Sequence, residues 1–311
     1  MITIISGIKK LSTDNLEYLE SFSKVRFKEI KGQKSLRDAL QECDIFWFRL
    51  NHKLTRDILL QARCRFIVCA ATGLDHIDIK TCTERGIEIV SLFSEKEFLK
   101  EIRATAEHTL GLLLALIRHT PKAFYHTKDG MWKRNLFLGN ELYKKKIGVY
   151  GLGRLGLIVA GYYKALGMEV YYYDIDDTIN NASFIQIKSE QKFLETVDYL
   201  SIHIPLNADN TNCLNKNNLQ FLKKTAIIVN TSRGGVIDEE YILYLLKNGF
   251  LGGYATDVLK GEPEIADNPL INYSKENDNV IITPHIGGYT EESIEKTEKF
   301  VLQKLHKLIL T

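Results

Sequence analysis

The chain has 311 residues, of which 45% are hydrophobic, and its formal net charge is +2. This length favours about two domains, and the nearly balanced charge gives no sign of a nucleic-acid partner. No apolar run approaches the roughly 20 residues that span a bilayer. The apolar run in the N-terminal stretch MITIISGIKK is too short, and two lysines follow it too soon, for a signal peptide. Five cysteines form no CxxC pair and no metal-ligand cluster, so we expect a cytoplasmic protein with reduced thiols and no bound metal.

Short β-rich runs alternate with amphipathic segments in the N-terminal part of the chain. The predicted strands are Thr3–Ser6, Val25–Glu29, Asp44–Phe48, Phe66–Cys69 and Ile87–Ser91. Helical stretches lie between them, at Thr13–Ser21, Ser35–Glu42 and Thr55–Ala62, and a long helix is predicted from about Glu97 to Arg118. This alternation predicts a parallel sheet covered by helices.

The same alternation restarts after the long helix. The predicted strands there are Lys146–Tyr150, Val170–Tyr173, Tyr199–His203, Ala226–Asn230, Gly253–Thr256 and Val280–Thr283. A final helix is predicted over Glu291–Leu310. We therefore predict an α/β protein with two Rossmann-like parallel-sheet domains joined by two long helices.

A glycine-rich stretch, KKIGVYGLGRLG, places Gly151, Gly153 and Gly156 in GxGxxG spacing. The motif is weak evidence alone, but here a predicted strand precedes it and the helical stretch Leu157–Leu166 follows. Glycines at these positions let the backbone approach a pyrophosphate lying at the helix N-terminus. The stretch therefore predicts a dinucleotide-binding domain.

The choice of dinucleotide depends on the acidic end of the next strand, MEVYYYD. A carboxylate at Asp174 can accept hydrogen bonds from the ribose hydroxyls and would repel a 2′-phosphate, which favours NAD over NADP. Arg154 in the glycine loop is either a phosphate contact or a solvated loop residue.

Three further polar residues follow predicted parallel strands. Arg233 comes after the strand that ends at Asn230, Glu262 after the strand Gly253–Thr256, and His285 after the strand Val280–Thr283. Each could be an ordinary turn residue, because a Gly or a Pro is adjacent to each of them. Open α/β sheets bind their ligands beyond the carboxyl ends of the strands, however, and three such residues after a dinucleotide loop favour an active site.

These stretches together resemble the D-isomer-specific 2-hydroxyacid dehydrogenase family over nearly the whole chain. The motifs that carry the resemblance are TGLDHID (72–78), ATAEHTLGLLLAL (104–116), ELYKKKIGVYGLGRLG (141–156), SIHIPLN (201–207), NTSRGGVIDEE (230–240), DVLKGEP (257–263) and TPHIGG (283–288). The resemblance implies a flavodoxin-like substrate domain over residues 1–99 and 288–311 and an NAD-binding Rossmann domain over residues 100–287. It also implies a homodimer that acts on a small 2-hydroxy or 2-keto acid.

The resemblance assigns catalysis to Arg233, Glu262 and His285, and the chemistry of reducing a 2-keto acid explains why. His285 would donate a proton to the keto oxygen or take it back, since an imidazole changes charge near neutral pH. Glu262 would orient that imidazole and favour its charged form. Arg233 would bind the substrate carboxylate and polarise the carbonyl.

The remaining site residues implied by the resemblance line the cofactor or the substrate. The cofactor residues are Gly151, Gly153, Arg154, Leu155, Gly156, Asp174, His203, Pro205, Thr231, Ser232, Asp257 and Gly288, with Asp257 matching the residue that holds the nicotinamide carboxamide. The substrate residues are Arg233, the backbone N–H groups of Thr72, Gly73 and Leu74, and Arg49, for which a purely structural role is equally favoured. We expect His108 to be structural, because it lies in a buried helix.

Departures from the family pattern limit what can be transferred. Formate dehydrogenases carry glutamine at the position of Glu262, which argues against formate dehydrogenase activity. The charged segment 91–103 could shape the substrate entrance. We expect no regulatory C-terminal domain after the final helix. The alternative function is an NAD(H)-sensing scaffold that binds proteins and turns over little substrate, as related corepressors do.

Overall fold

The computed structural model of the chain describes residues 1–310, which form two compact units. Unit 1 comprises Met1–Glu101 together with the residues from Thr290 on, and unit 2 comprises Ile102–Tyr289. No helix in the described part of the chain is long and apolar enough to cross a membrane.

The strands and helices follow one another in regular alternation. The strands are β1 (Ile2–Ile5), β2 (Lys24–Phe27), β3 (Ile45–Trp47), β4 (Phe66–Cys69), β5 (Glu88–Ser91), β6 (Lys146–Tyr150), β7 (Glu169–Tyr173), β8 (Ile185–Gln186), β9 (Tyr199–Ile202), β10 (Ile227–Asn230), β11 (Gly253–Thr256) and β12 (Val280–Ile282). The α-helices are α1 (Thr13–Glu20), α2 (Gly32–Glu42), α3 (Arg56–Leu59), α4 (Ile79–Arg85), α5 (Lys96–Leu99), α6 (Ala104–Ile117), α7 (Thr120–Lys128), α8 (Arg154–Ala165), α9 (Glu190–Thr196), α10 (Lys216–Leu219), α11 (Glu239–Lys247), α12 (Pro269–Ser274) and α13 (Glu291–Leu310). Short 3-10 turns occupy Arg134–Leu136 and Gly234–Val236.

Unit 1 is built on a parallel sheet with the strand order β2-β1-β3-β4-β5. This is the order of flavodoxin-like folds. Every residue of β3 and β4 is buried, as expected for central strands that helices cover on both faces. The C-terminal helix α13 returns to this unit and packs against α1, β4 and β5.

Unit 2 is built on a larger parallel sheet with the strand order β12-β11-β10-β9-β6-β7-β8. The chain proceeds outward from β6 through β7 and β8, and then from β9 on the other side of β6. The order therefore reverses between β6 and β9, and such a switch point is where doubly wound sheets bind nucleotides. The predicted fold class, two Rossmann-like parallel-sheet domains, is confirmed.

One predicted element is wrong in its extent. A continuous helix was expected from about Glu97 to Arg118, but the structure has a single turn, α5, followed by a break and then α6 from Ala104. Phe98 on α5 stacks on Phe300 of α13 with ring centroids 4.1 Å apart, and Leu99 is buried. These contacts hold α5 within unit 1, whereas α6 belongs to unit 2.

Candidate active site

The predicted glycine loop joins β6 to α8 at the switch point of the unit 2 sheet. Gly151 has a φ of +92°, and a Cβ on Gly156 would lie 2.1 Å from the Gly151 carbonyl oxygen. Glycine is therefore required at both positions, one for its conformation and one for the close approach of helix to strand. A Cβ on Gly153, in contrast, would meet nothing within 4 Å.

The first turn of α8 is suited to bind an anion. Gly153 is its N-cap and has no side chain to accept a hydrogen bond from the helix. The helix N-terminus thus faces open space beside Gly153, where its N–H groups can bind a phosphate group. Arg154 and Leu155 lie in this turn, and burial lowers the pKa of the Arg154 guanidinium, with nearby Arg103 adding to the shift. The glycine loop therefore fits a dinucleotide pyrophosphate.

The Asp174 carboxylate is held at this loop by two backbone groups. One oxygen accepts a hydrogen bond from the N–H of Leu152 at 2.7 Å, and the other accepts from the N–H of Asp176 at 3.0 Å. The side chain is partly exposed. Because a carboxylate has about four acceptor sites, Asp174 can also accept hydrogen bonds from ribose hydroxyls.

His203 and Pro205 follow β9, on the other side of the switch point from the glycine loop. A Cβ on Gly151 would lie 3.0 Å from the His203 carbonyl oxygen, so the two segments are in close contact. Burial lowers the pKa of the His203 imidazole to about 3. His203 is therefore uncharged at neutral pH, which suits a residue that supports the loop.

The side chains of Glu262 and His285 meet directly. His285 Nδ1 lies 2.8 Å from Glu262 Oε1, and the two side chains are 25% and 30% exposed. A hydrogen bond from Nδ1 to the carboxylate leaves Nε2 to exchange a proton with a substrate. The partial exposure leaves the pair accessible to a small molecule.

The loop that carries His285 is wrapped around Asp257. The backbone N–H of His285 donates to the Asp257 carbonyl oxygen at 2.8 Å, and those of Ile286 and Gly287 donate to its carboxylate at 2.8 and 2.7 Å. Burial alone raises the pKa of this carboxyl, but hydrogen bonds from His108, Thr283 and the loop outweigh it and lower the pKa overall. Asp257 is therefore an anion at neutral pH. A nicotinamide carboxamide that donates to this carboxylate would do so beside the N–H groups of Ile286 and Gly287.

Arg233 follows β10. In the sheet, β10 pairs with β11, and β11 pairs with β12 on its other side. Arg233 Nη1 donates to the Ser232 carbonyl oxygen at 2.8 Å. The buried Asn230 shapes this turn, because its Oδ1 accepts from the N–H of Ser232 and its Nδ2 donates to the Arg233 carbonyl oxygen. Arg233, Glu262 and His285 thus follow three neighbouring parallel strands, and the side chains of Glu262 and His285 are joined by the 2.8 Å hydrogen bond.

The other predicted cofactor residues of unit 2 lie close to helix α6. Thr231 is buried, and its hydroxyl lies 2.7 Å from that of Thr109. A Cβ on Gly288 would lie 3.8 Å from the hydroxyl oxygen of Thr105. Helix α6 therefore supports both the Thr231 turn and the end of the His285 loop.

The predicted substrate residues outside unit 2 lie beyond β3 and β4 in unit 1. Arg49 Nη2 donates to Glu298 Oε1 at 2.6 Å, and Glu298 is only 1% exposed. Thr72, Gly73 and Leu74 form the turn after β4, and within residues 1–310 no protein group accepts a hydrogen bond from their backbone N–H groups. These N–H groups are suited to bind a carboxylate, whereas Arg49 has at least the structural task of neutralising Glu298.

Two residues of this site were missed by sequence reasoning. Glu239 at the start of α11 accepts from the Lys260 N–H at 2.6 Å and from Asn268 Nδ2 at 2.8 Å, which fixes the segment that carries Glu262. Thr283 donates to the Asp257 carboxylate at 2.6 Å. Glu239 lies in the motif NTSRGGVIDEE (230–240) and Thr283 in the motif TPHIGG (283–288), but nothing in their local pattern indicates partners so distant in sequence.

The charged segment 91–103 is attached to the C-terminal helix. Lys304 Nζ lies 2.6 Å from Glu95 Oε1 and 3.3 Å from the Ser91 carbonyl oxygen, in addition to the stacking of Phe98 on Phe300. Residues 91–101 of this segment are therefore a docked part of unit 1. As for metals, residues 1–310 contain no group of three or more His, Cys, Asp or Glu side chains that could hold an ion.

Comparisons with known proteins define the class to which this fold and site belong. Residues 110–287 match the family model of the NAD-binding domain of D-isomer-specific 2-hydroxyacid dehydrogenases. The chain belongs to this family, whose members are NAD-dependent oxidoreductases.

Individual relatives place the chain within the family. It is 33% identical to a D-3-phosphoglycerate dehydrogenase of Methanocaldococcus jannaschii over 96% of this chain and 56% of that protein. It is 30% identical to a glyoxylate reductase of Korarchaeum cryptofilum over 88% of this chain and 82% of that protein. The D-lactate dehydrogenase of Aquifex aeolicus, solved with NAD and lactic acid, has the same fold, with a TM-score of 0.83, 24% identity and coverage of 99% and 95% of the two chains. The chain spans about half the length of several of the phosphoglycerate dehydrogenases that it matches.

Proposed function

We propose that the protein interconverts a D-2-hydroxy acid and its 2-keto acid with NAD as the cofactor. The observation that carries the proposal is the hydrogen bond of 2.8 Å between His285 and Glu262, two residues that follow neighbouring strands of an NAD-binding sheet. A histidine paired with a carboxylate in this way is a general acid and base of the kind that such a reaction needs.

In the direction of reduction, His285 donates its proton from Nε2 to the keto oxygen while the keto carbon is reduced. The nicotinamide of NADH, when bound, supplies the hydride for that carbon. Glu262 accepts the hydrogen bond from Nδ1 and stabilises the imidazolium before the proton leaves. In the direction of oxidation, His285 takes the proton back.

Arg233 is the proposed partner of the substrate anion. Its guanidinium has several donors and can bind the carboxylate while polarising the adjacent carbonyl. In unit 1 we keep the N–H groups of Thr72, Gly73 and Leu74, and Arg49, as candidate substrate contacts. These assignments predict that the substrate is a small acid with a carboxylate next to the reacting carbon.

The residues present fit NAD. Gly151, Gly153 and Gly156 would hold the pyrophosphate with the first turn of α8, and Asp174 would accept hydrogen bonds from the adenosine ribose. His203, Pro205, Thr231, Ser232, Asp257 and Gly288 would line the nicotinamide half. Because the Asp174 carboxylate would repel a 2′-phosphate, we expect a preference for NADH over NADPH.

We further propose a homodimer formed through the segment between α7 and β6. Its side chains Trp132 and Leu138 are 87% and 88% exposed, and Tyr143 is 61% exposed. Large apolar side chains this exposed commonly mark an interface between subunits.

The test is a panel of 2-keto acids with NADH and, separately, NADPH. Wild-type protein should oxidise NADH with at least one acid, and His285→Ala should reduce that turnover about 10²-fold or more while NADH binding is retained. Wild-type protein that binds NADH but reduces none of the acids, or a His285→Ala variant as active as wild type, would contradict the proposal. The first outcome would favour the NAD(H)-sensing scaffold.

A further inference from the structure

A network of side chains lies beside the His285 loop, formed by His108 of α6, Asp257 just after β11 and Thr283 just after β12. His108 Nε2 lies 3.0 Å from the Thr283 hydroxyl and 3.3 Å from Asp257 Oδ1, and Thr283 donates to that same Oδ1 at 2.6 Å. Asp257 is 2% exposed and His108 22% exposed, so the network is largely shielded from water.

The network determines which nitrogen of His108 carries a proton. Asp257 is ionised and only accepts hydrogen bonds, so the single Thr283 hydroxyl proton points to Asp257 Oδ1. The hydroxyl oxygen can then only accept from His108. His108 Nε2 must therefore carry a proton and donate it, to Thr283 at 3.0 Å with Asp257 Oδ1 as a second acceptor.

The network is connected to His285 through the backbone on both sides of it. Thr283 precedes His285 by two residues, and Ile286 and Gly287 after it donate their N–H groups to the same Asp257 carboxylate. His285 has a φ of +54°, a left-handed conformation that a residue with a side chain adopts only when its surroundings hold it there. Gly287 passes closely between Asp257 and α6, since a Cβ on it would lie 2.9 Å from Asp257 Oδ2 and 3.6 Å from His108 Cδ2.

We propose that His108 is a positioning residue for His285. By donating from Nε2 to Thr283, it fixes the Thr283–Asp257 hydrogen bond, and Asp257 in turn holds the backbone before and after His285 in the geometry needed for proton transfer. His108 does not touch the substrate in this role. The inference rests on the proposed dehydrogenase function, because it concerns how the proton donor of that reaction is aimed.

The kinetic test compares variants that remove the donor with variants that keep it. His108→Leu and Thr283→Val should each lower kcat for keto-acid reduction about tenfold, the scale expected when a reacting group is moved by less than 1 Å. The double variant should lose little more than either single variant, because both act through one network. His108→Gln and Thr283→Ser keep a donor and a hydroxyl and should stay within about threefold of wild type. The affinity for NADH should be unchanged in all of them, and the exposed Glu107→Gln on the same helix is the control.

A second measurement needs no variant and no turnover. Nitrogen NMR of protein labelled at histidine should show a proton on Nε2 of His108, and Thr283→Val should weaken that preference. A His108 protonated at Nδ1 alone would overturn the proposal, because Nε2 could not then donate to Thr283.

The outcomes separate this inference from the proposed function. Wild-type turnover that is lost in His285→Ala but unchanged in His108→Leu would overturn the positioning role and leave the dehydrogenase intact. Equal losses in His108→Leu and His108→Gln, or a fall in NADH affinity as large as the fall in kcat, would also overturn it. Absence of turnover in wild type would overturn both proposals.

Discussion

At the scale of single residues, the candidate chemistry depends on which side chains are charged. His285 is paired with a carboxylate at 2.8 Å, whereas His203 is buried and its pKa is lowered to about 3. The two histidines follow strands of the same sheet, but only His285 has a partner that stabilises its protonated form. This difference is why we assign proton transfer to His285.

The pair predicts how keto-acid reduction responds to Glu262→Gln. Glutamine keeps the shape of the side chain but removes the carboxylate that accepts the hydrogen bond from Nδ1 of His285. Because a positioned proton donor contributes about 10²-fold or more to the rate, the variant should lose roughly tenfold or more in kcat/KM for reduction while it still binds NADH. The measurement is kcat/KM under conditions where chemistry limits the rate. A Glu262→Gln variant as active as wild type would show that His285 does not depend on the carboxylate.

A second residue-scale prediction concerns Arg49 and Glu298. Burial raises the pKa of Glu298, and the Arg49 guanidinium only partly offsets this. A buried acid whose folded pKa is raised costs stability as pH rises from its unfolded pKa through its folded pKa, because ionisation is less favourable in the folded protein. Arg49→Met removes the cation and should therefore destabilise unit 1 by about 3 kcal/mol at neutral pH, the cost of breaking a buried ion pair.

The pH dependence and a double variant check this explanation. The loss in Arg49→Met should shrink near about pH 4.5, where Glu298 is protonated, and Arg49→Met with Glu298→Gln should recover stability at neutral pH. Urea denaturation followed by circular dichroism measures both. The same variants test substrate binding, since an effect on KM in Arg49→Met that is absent in Glu298→Gln would assign Arg49 to the substrate. An equal loss of stability at both pH values would contradict the ionic explanation.

At the scale of elements, the junction of β6 and α8 combines a packing requirement with a binding requirement. The three glycines of one motif have different surroundings: Gly156 is pressed against the Gly151 carbonyl, while Gly153 borders open space. The motif therefore contains one position that serves the fold and another that is available to a ligand.

This difference predicts opposite results for two alanine variants. Gly156→Ala forces the helix away from the strand and should cost about 1–3 kcal/mol, which lowers Tm by several degrees. Gly153→Ala should leave Tm nearly unchanged but weaken NADH binding roughly tenfold, because its Cβ would enter the open space that we propose for the pyrophosphate. Thermal unfolding and titration of NADH fluorescence measure the two effects. A Gly153→Ala variant that binds NADH like wild type would place the pyrophosphate elsewhere.

At the scale of the whole molecule, the exposed apolar segment predicts the assembly. Sedimentation at micromolar concentration should give twice the chain mass of 35.6 kDa. Trp132→Ser with Leu138→Ser should shift the equilibrium toward monomer, because both side chains are almost fully exposed in the single chain. Leu310→Ser, which changes an exposed leucine on α13, is the control and should leave the dimer intact. A wild-type protein that sediments only as a monomer would rule out this interface.

The sequence by itself determined the fold class and named the candidate residues for the chemistry, whose roles stay a prediction. Alternation of strands and helices is a periodic local signal, and it predicted both parallel sheets. The GxGxxG spacing with Asp174 after it predicted a nucleotide loop, which the structure places at the switch point between β6 and β9. A short two-residue strand, β8, was not predicted, because two residues carry no detectable period.

Only the tertiary structure decided where the long helix breaks and what holds the His285 loop. Helix α5 is held in unit 1 by the stacking of Phe98 on Phe300, a contact with a helix at the other end of the chain. His108, expected to be structural, meets Thr283 across 175 residues of sequence. Sequence periodicity indicates which face of an element is buried, but hydrogen bonds between elements depend on distances and directions that exist only after the sheet has formed.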